Sequence, residues 1–151
     1  MTYLAGEGMC GGYGGVDILH QCSIGVDKGE VAVVVGPNGA GKSTTIGIIC
    51  SLVAKSGGRV SVFDIDIDEN FPAAKRFIGI VPQEFNFNQF EKPLDIVINQ
   101  AGYYGLPATQ ARKQAEKYLR ELGLWEQRDV QARMLSGGMK RRLMIARALV
   151  H

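Results

Sequence analysis

The sequence predicts an α/β fold, and three observations indicate it. The run Val31–Val35 is continuous, apolar and β-branched, which is typical of a strand buried on both faces. A glycine-rich loop follows at once, and the apolar segment Ser43–Cys50 after it predicts a helix. From Pro93 onward the apolar residues recur at helical spacing. Strands, loop, mixed region and helices therefore fit a single α/β architecture.

The segment before this run predicts short edge strands separated by loops, because it is rich in glycine. Cys22, Ile24 and Val26 alternate with polar or small residues, a pattern typical of a strand. The sequence at Asp27–Glu30 then predicts a turn into the Val31–Val35 strand.

Further elements follow the predicted loop helix. Ser56–Gly58 predicts a break in the chain. Arg59–Phe63 and Gly79–Val81 predict two more strands, with a short helical turn at Pro72–Arg76 between them.

The last third of the chain predicts three helices. The first begins at Pro93 and ends near Gly105, and the second covers Ala108–Leu122 with Gly123 as its stop. The third begins at Ser136, a residue that commonly caps a helix N-terminus. Its apolar face contains Met139, Leu143, Ala146 and Val150. Its arginines, Arg141, Arg142 and Arg147, are interpreted as a solvated face.

Composition and charge limit the function. The 151 residues suffice for one domain, and 17 basic against 15 acidic residues give a net charge of +2, which does not indicate nucleic-acid or anionic-membrane binding. No run reaches the ~20 apolar residues of a membrane span, and the N-terminus lacks a signal-peptide pattern. Three widely spaced cysteines predict a reducing compartment and no metal site, with Cys50 in the core. We therefore expect a cytosolic chain.

The glycine-rich loop is the strongest functional motif. It matches the phosphate-binding pattern G-x-x-x-x-G-K-[ST] and consists of Gly36, Pro37, Asn38, Gly39, Ala40, Gly41, Lys42 and Ser43. Its glycines allow the backbone to direct N–H groups at phosphates, and the following helix presents its positive end. We expect Lys42 to reach the β- and γ-phosphates, Ser43 to ligate Mg²⁺, and Thr44 to contact the α-phosphate. The predicted ligand is a nucleoside triphosphate with Mg²⁺.

A second phosphate-binding helix start is predicted at Leu135–Met139, which reads LSGGM. The Ser136 hydroxyl and the Gly137 and Gly138 amides would lie at a helix N-terminus, where anions bind. Two such surfaces in one small chain suggest a nucleotide held between two subunits. With the helix that follows it, LSGGM-KRRLMIARAL resembles the signature helix of ABC transporter ATPases, and the resemblance covers nearly the whole chain.

This resemblance implies a P-loop NTPase of the ABC ATPase type that binds ATP and Mg²⁺. It divides the chain into β-strands and P-loop core at 1–84, a helical subdomain at 85–135, and the signature helix at 136–151. Gln83 resembles the Q-loop glutamine, which in this family touches Mg²⁺ and the attacking water and senses the membrane partner. Tyr13 resembles the aromatic residue that stacks on adenine, with Val16 in the same pocket; the alternative for Tyr13 is an exposed turn aromatic.

The resemblance also implies partners. The helical subdomain would dock onto transmembrane permease subunits, and a second ATP-binding subunit would complete an ATP-sandwich dimer at the inner face of the membrane. Neither nucleic acid nor direct membrane insertion is expected. The aromatic residues of this region are interpreted either as docking contacts or as core, and they are Phe85, Phe87, Phe90, Tyr103 and Tyr104.

Two features depart from the family pattern. Met139 replaces the usual glutamine, as in ABC exporter ATPases, whereas the opening segment resembles ATPases of branched-chain amino-acid importers; a mosaic joined near the P-loop would explain both. The sequence also ends at His151, before the family's Asp-Glu strand and switch histidine. We therefore expect a truncated ABC ATPase that lacks the C-terminal part of its sheet, and that binds ATP but hydrolyses it poorly.

Three alternatives remain. One is an inert fragment or interaction module, and another is a soluble non-transport ABC ATPase, although the long insertions typical of such proteins are not found. A GTPase or small-molecule kinase shares only the P-loop, and LSGGM disfavours both.

Overall fold

The computed structural model describes residues 2–151. The chain divides into two compact units, Met1–Ile78 and Gly79–His151. The first unit contains the sheet and the phosphate-binding loop, and the second contains three of the helices. No helix within residues 2–151 has the length and apolar character needed to cross a bilayer.

The first unit is built on a four-stranded sheet with the order β2-β1-β3-β4. Strands β1 (Thr2–Tyr13) and β2 (Val16–Asp27) form an antiparallel hairpin. Its two-residue turn is Gly14–Gly15, where φ is +61° and +79°, values that favour glycine. Strands β3 (Lys55–Val62) and β4 (Ile65–Asp66) extend the sheet beyond β1.

The glycine-rich opening forms one strand of 12 residues, so the prediction of loops between short strands was wrong. The pairing of this strand is irregular where the glycines lie. The register between β1 and β2 shifts repeatedly, and Gly8 has φ +56°. The predicted break at Ser56–Gly58 was also wrong, because this segment lies inside β3. Gly58 has φ +82°, and a Cβ there would lie 2.4 Å from the Gly8 carbonyl oxygen.

Other predictions for the first unit were confirmed. Strand β2 shows the expected alternation of half-buried and exposed residues from Cys22 to Asp27. The Asp27–Glu30 turn is closed by a 3.1 Å bond from the Glu30 N–H to the Asp27 carbonyl. Helix α1 (Lys42–Ile49) follows the loop. The core that it shares with the sheet comprises Met9, Leu19, Ile48, Val53, Val60, Val62, Ile67 and Ala74.

The helical turn predicted near Pro72–Arg76 was also confirmed. Helix α2 (Ile67–Ala74) continues into a 3₁₀ turn at Lys75–Phe77. Asp66 caps α2, since its carboxylate accepts a hydrogen bond from the Asp68 N–H at 2.9 Å.

The Val31–Val35 run is not a strand, which corrects the prediction of a strand buried on both faces. Val31 and Val35 are 87% and 82% exposed. A strand is held by hydrogen bonds to its neighbours, and no strand between residues 2 and 151 pairs with this run. Gly79–Val81 likewise has no regular structure. In both segments the composition indicated a strand, but no strand of the described residues pairs with either segment.

The second unit contains the three helices that were predicted. They are α3 (Pro93–Tyr103), α4 (Ala108–Glu121) and α5 (Gly137–Leu149). Gly105 and Gly123 follow α3 and α4 with φ +80° and +65°, as expected of terminating glycines. Short 3₁₀ turns lie at Trp125–Gln127 and Ala132–Met134. The three helices share a core in which Val97, Ala101, Ala115, Leu119, Leu143, Ala146 and Val150 are buried.

Candidate nucleotide-binding site

The phosphate-binding loop is shaped by two glycines with positive φ. Gly39 and Gly41 have φ of +86° and +78°, a region that other residues rarely adopt. Between them the chain turns, and the Ala40 N–H donates to the Pro37 carbonyl at 3.2 Å. Gly41 also forms the N-cap of α1. Glycine is therefore required by the backbone geometry at positions 39 and 41.

The Lys42 side chain bridges the loop through two hydrogen bonds. Its Nζ donates to the carbonyl oxygens of Gly36 and Pro37 at 2.6 and 2.7 Å. The ammonium thus lies across the loop and is satisfied by two backbone acceptors. A phosphate group bound in this loop would offer the same ammonium a charged acceptor, which forms the stronger hydrogen bond.

The junction between loop and helix is fixed by Thr45, which the sequence analysis missed. The Thr45 N–H and hydroxyl both donate to the Gly41 carbonyl, at 2.8 and 2.9 Å. The amides of Lys42, Ser43 and Thr44 precede any intrahelical acceptor and remain available at the positive end of α1. Ser43 is exposed, whereas Thr44 is buried. The roles predicted for Ser43 and Thr44 stay predictions.

A cavity of about 340 Å³ lies at this loop and is lined by Ile18 and the residues from Asn38 to Thr44. Ile18 was not among the residues predicted from the sequence. The signal was present, because Ile18 lies two residues after Val16 in β2, and alternate residues of a strand share a face. Tyr13 and Val16 pair at the hairpin tip and are 57% and 67% exposed. An exposed Tyr13 ring suits both interpretations given above, so adenine stacking stays a prediction.

The loop residues fit a nucleoside triphosphate with Mg²⁺. Free amides at a helix N-terminus and the Lys42 ammonium are an anion-binding set, and none of the described residues that line the cavity is acidic. The exposed Ser43 hydroxyl is an oxygen ligand of the kind that Mg²⁺ prefers. Gln83, the other predicted Mg²⁺ ligand, lies in the second unit, and its part in the metal site stays a prediction.

The second predicted phosphate surface lies at the start of α5. Ser136 is its N-cap, and the Ser136 Oγ accepts from the Met139 N–H at 3.3 Å. Ser136, Gly137 and Gly138 are exposed, and a Cβ on either glycine would meet no atom within 4 Å. The predicted helix start is confirmed, and its amide end is open to a ligand.

The interpretation of the α5 arginines as a solvated face was wrong for Arg141 and Arg147, which are half-buried and hydrogen-bonded to another segment, whereas Arg142 is exposed. Arg141 donates through Nη1 and Nη2 to the carbonyl oxygens of Pro82 and Gln83, at 2.6 and 2.7 Å. Arg142 donates to the Leu122 carbonyl at 2.7 Å, beyond the end of α4. These acceptors are distant in sequence, and for that reason helical periodicity could not reveal them.

Arg147 also has partners in the second unit. Its Nη1 donates to the Asn86 Oδ1 and its Nη2 to the Gln100 Oε1, both at 2.8 Å. Burial lowers the pKa of the Arg147 guanidinium from its ordinary value, against a smaller opposing effect of Tyr103. Its acceptors are neutral amides, and no carboxylate within residues 2–151 forms an ion pair with it.

The aromatic residues of this unit differ in burial, and a docking role for the exposed ones stays a prediction. Phe87 packs against the helical core, as the core interpretation requires. Phe90 and Tyr103 are 67% and 85% exposed, so they lie on the surface. Phe85 is partly exposed, and Arg141 Cζ lies 5.4 Å from its ring centroid.

Comparison with known families agrees with the geometry. The family model described as ABC transporter matches residues 19–151. The chain belongs to the ABC transporter family. The helix starts at Lys42 and Gly137 and the Gln83 segment all lie within the matched residues, and their roles as P-loop, signature and Q-loop stay predictions.

Curated ABC relatives and solved structures extend this finding. The chain is 38% identical over 148 residues to the linearmycin resistance ATP-binding protein LnrL of Bacillus subtilis, covering 98% of this chain and 48% of that protein. It is 36% identical over 138 residues to the Nod factor export ATP-binding protein I of Azorhizobium caulinodans, covering 91% of this chain and 43% of that protein. The structure of cbiO1 from Clostridium perfringens, described as part of the ABC transporter complex cbiONQ, matches with a TM-score of 0.85 and 29% identity, covering 99% of this chain and 61% of that one. The chain therefore spans about half the length of the curated relatives it matches.

Proposed function

We propose that this chain acts as the ATP-binding subunit of an ABC transporter and binds Mg·ATP at the Gly36–Thr44 loop. The observation that carries the proposal is the cradle itself. Lys42 is held across a loop that two glycines with positive φ shape, and α1 begins directly behind it with free amides. Membership of the ABC family supports the identity of the nucleotide.

Each residue of the cradle has a role in this proposal. Lys42 exchanges the Gly36 and Pro37 carbonyls for phosphate oxygens, and the α1 amides bind the same anion. Ser43 and Gln83 hold Mg²⁺, which when bound neutralises phosphate charge. Tyr13 and Val16 border the base, next to the Ile18 wall of the cavity.

The first residues of the signature helix, 136–138, which we call the signature turn, form the second half of a shared site. Ser136, Gly137 and Gly138 bind the nucleotide held by the P-loop of a second ATP-binding subunit, in an ATP-sandwich dimer. Their exposure and the open amide end of α5 support this role. The helical subdomain docks onto transmembrane permease subunits at the inner face of the membrane, and the exposed Phe90 and Tyr103 are candidate contacts.

We further propose that residues 1–151 bind ATP but hydrolyse it poorly. Phosphoryl transfer needs an oriented water molecule and stabilisation of developing charge. Among the described residues that line the loop cavity, none carries a carboxylate that could polarise water. ATP turnover close to that of a full-length ABC ATPase would contradict this part of the proposal.

Isothermal titration calorimetry with Mg·ATP tests the binding role. Lys42→Ala removes the ammonium, and a charge-assisted hydrogen bond contributes about 1.5–3 kcal/mol, so we expect binding to weaken by about 10- to 150-fold. Lys113→Ala is the matched control, because Lys113 is exposed on α4. Equal affinities for the wild type and Lys42→Ala would contradict the proposal. Absence of binding in the wild type would favour the inert interaction module instead.

A further inference from the structure

The segment Gly79–Phe87, which contains Gln83, has no regular secondary structure. Within the described chain, its amides and carbonyls form no backbone–backbone hydrogen bonds. Such a segment would ordinarily be mobile, because nothing in its own backbone selects one conformation. Its position must therefore be set by contacts from elsewhere.

Those contacts come from α5. The Arg141 guanidinium donates to two successive carbonyls, Pro82 and Gln83, at 2.6 and 2.7 Å. Arg147, on the same helix, donates to the Asn86 side chain at 2.8 Å. The segment is thus held on both sides of Gln83 by side chains of a single helix.

The start of the segment also lies directly against α5. A Cβ on Gly79 would lie 2.3 Å from the Ala148 carbonyl oxygen, so only glycine permits this approach. Together with the two arginines, this contact places the segment against α5 from its first residue to Asn86.

We propose that Arg141 and Arg147 are positioning residues that fix the Gln83 segment to the signature helix, so that Gln83 and Ser136 move as one body. A planar guanidinium that binds two successive carbonyls sets the orientation of both peptide planes, and hence the direction in which the Gln83 side chain leaves the backbone. Ser136 caps the same helix. Any displacement of the signature turn is therefore transmitted to Gln83. This inference rests on the proposed function for the meaning of Gln83, but not for the contacts.

Backbone ¹⁵N relaxation on the 151-residue chain tests the attachment. In the wild type we expect order parameters near 0.85 for residues 83–86, and in Arg141→Met values below about 0.6. Arg142→Met is the matched control. It removes the same charge one position along α5, but Arg142 donates to the Leu122 and Gly123 carbonyls rather than to the Gln83 segment. It should leave residues 83–86 unchanged. Unchanged order parameters in Arg141→Met would overturn the proposal.

A conservative variant keeps the test decisive if Arg141→Met does not fold. Arg141→Lys retains the charge but presents a point charge rather than a fork, so we expect intermediate order parameters. If Arg141→Lys matches the wild type in residues 83–86, the two-carbonyl geometry is irrelevant and the proposal fails.

A second readout distinguishes positioning from a purely structural role. The ratio of ATP affinities measured with Mg²⁺ and with EDTA reports the metal contribution. Residues that orient a metal ligand typically change metal affinity by about 10–100-fold, so Arg141→Met should lower this ratio as Gln83→Ala does. The double variant Arg141→Met with Gln83→Ala should show the same affinity ratio as Gln83→Ala alone. Reductions of the ratio that add up would overturn the positioning role. If the wild type binds no ATP, the proposed function fails, while the order parameters still decide the attachment.

Discussion

Substitutions at Ser136 separate the structural role of its hydroxyl from its role toward phosphate. The Ser136 Oγ accepts from the Met139 N–H at 3.3 Å in an exposed position. Loss of an N-cap side chain costs about 0.5–2 kcal/mol, and a long, exposed bond belongs at the low end of that range. Ser136→Ala should therefore destabilise the fold by about 0.5–1 kcal/mol, which lowers the unfolding midpoint by roughly 1–4 °C.

Ser136→Asp should act in opposite directions on the fold and on the ligand. A carboxylate at this position keeps the cap and gains about 0.3–1 kcal/mol from the positive end of α5, so the fold should be at least as stable as the wild type. Toward phosphate, two like charges about 4 Å apart repel by about 4 kcal/mol at an effective dielectric constant of 20. Exposure and salt reduce this to roughly 2 kcal/mol, or about 30-fold in association. Ser136→Asn, which keeps the cap without charge, is the control.

The assays are differential scanning calorimetry for the fold and sedimentation velocity, with and without Mg·ATP, for the dimer. We expect Ser136→Asp to unfold no earlier than the wild type but to lose nucleotide-dependent dimerisation, and Ser136→Asn to retain both. Dimerisation of Ser136→Asp at the wild-type ATP concentration would refute the idea that this helix start faces phosphate. Equal destabilisation by Ala and Asp would refute the capping bond.

Two smaller predictions follow from the first unit. The hydrogen bond from Arg59, and next the bond from the Asp68 N–H, lower the pKa of Asp66. The ionised carboxylate therefore stabilises the fold above the unfolded pKa of about 3.9, and this stabilisation is lost as the pH falls through the lower folded pKa. Asp66→Asn should therefore lower the unfolding midpoint at pH 7, and its difference from the wild type should shrink as the pH falls below about 3.9; a difference that does not change with pH would contradict this. Burial raises the pKa of the Cys50 thiol, so at pH 8 it should react with a disulfide reagent more slowly than Cys10 and Cys22; three equally fast thiols would contradict the buried position.

Local chemistry made the two helix starts proposed to bind phosphate predictable. The P-loop pattern specifies a glycine at Gly41, where φ is positive, and a lysine that can reach back across the loop, and the structure shows both. Ser136 was predictable as an N-cap because the capping bond joins residues three apart. In each of these motifs the residues that interact are close in sequence, so the pattern itself contains the contact.

The roles of the α5 arginines could not be predicted in this way. Arg141 and its Pro82 acceptor lie 59 positions apart, and the acceptor is a backbone carbonyl that any residue could supply. A charge run on a helix usually indicates solvent, and only the fold reveals that irregular segments lie against this one. Thr45 was missed for a related reason, since its partner is the Gly41 carbonyl rather than a motif side chain.

The Val31–Val35 run has the composition of a strand but not its conformation. Its residues suit a strand buried on both faces, yet it leads into the P-loop without a hydrogen-bonded partner in the described chain and with Val31 87% exposed. The loop that follows is nevertheless formed, because the bonds from Lys42 to Gly36 and Pro37 and those from Thr45 to Gly41 all lie within or after it. The loop is thus stabilised by its own residues and by α1 rather than by the run that precedes it. Lys42 consequently has two roles, and loss of its ammonium should weaken both the empty loop and the bound phosphate.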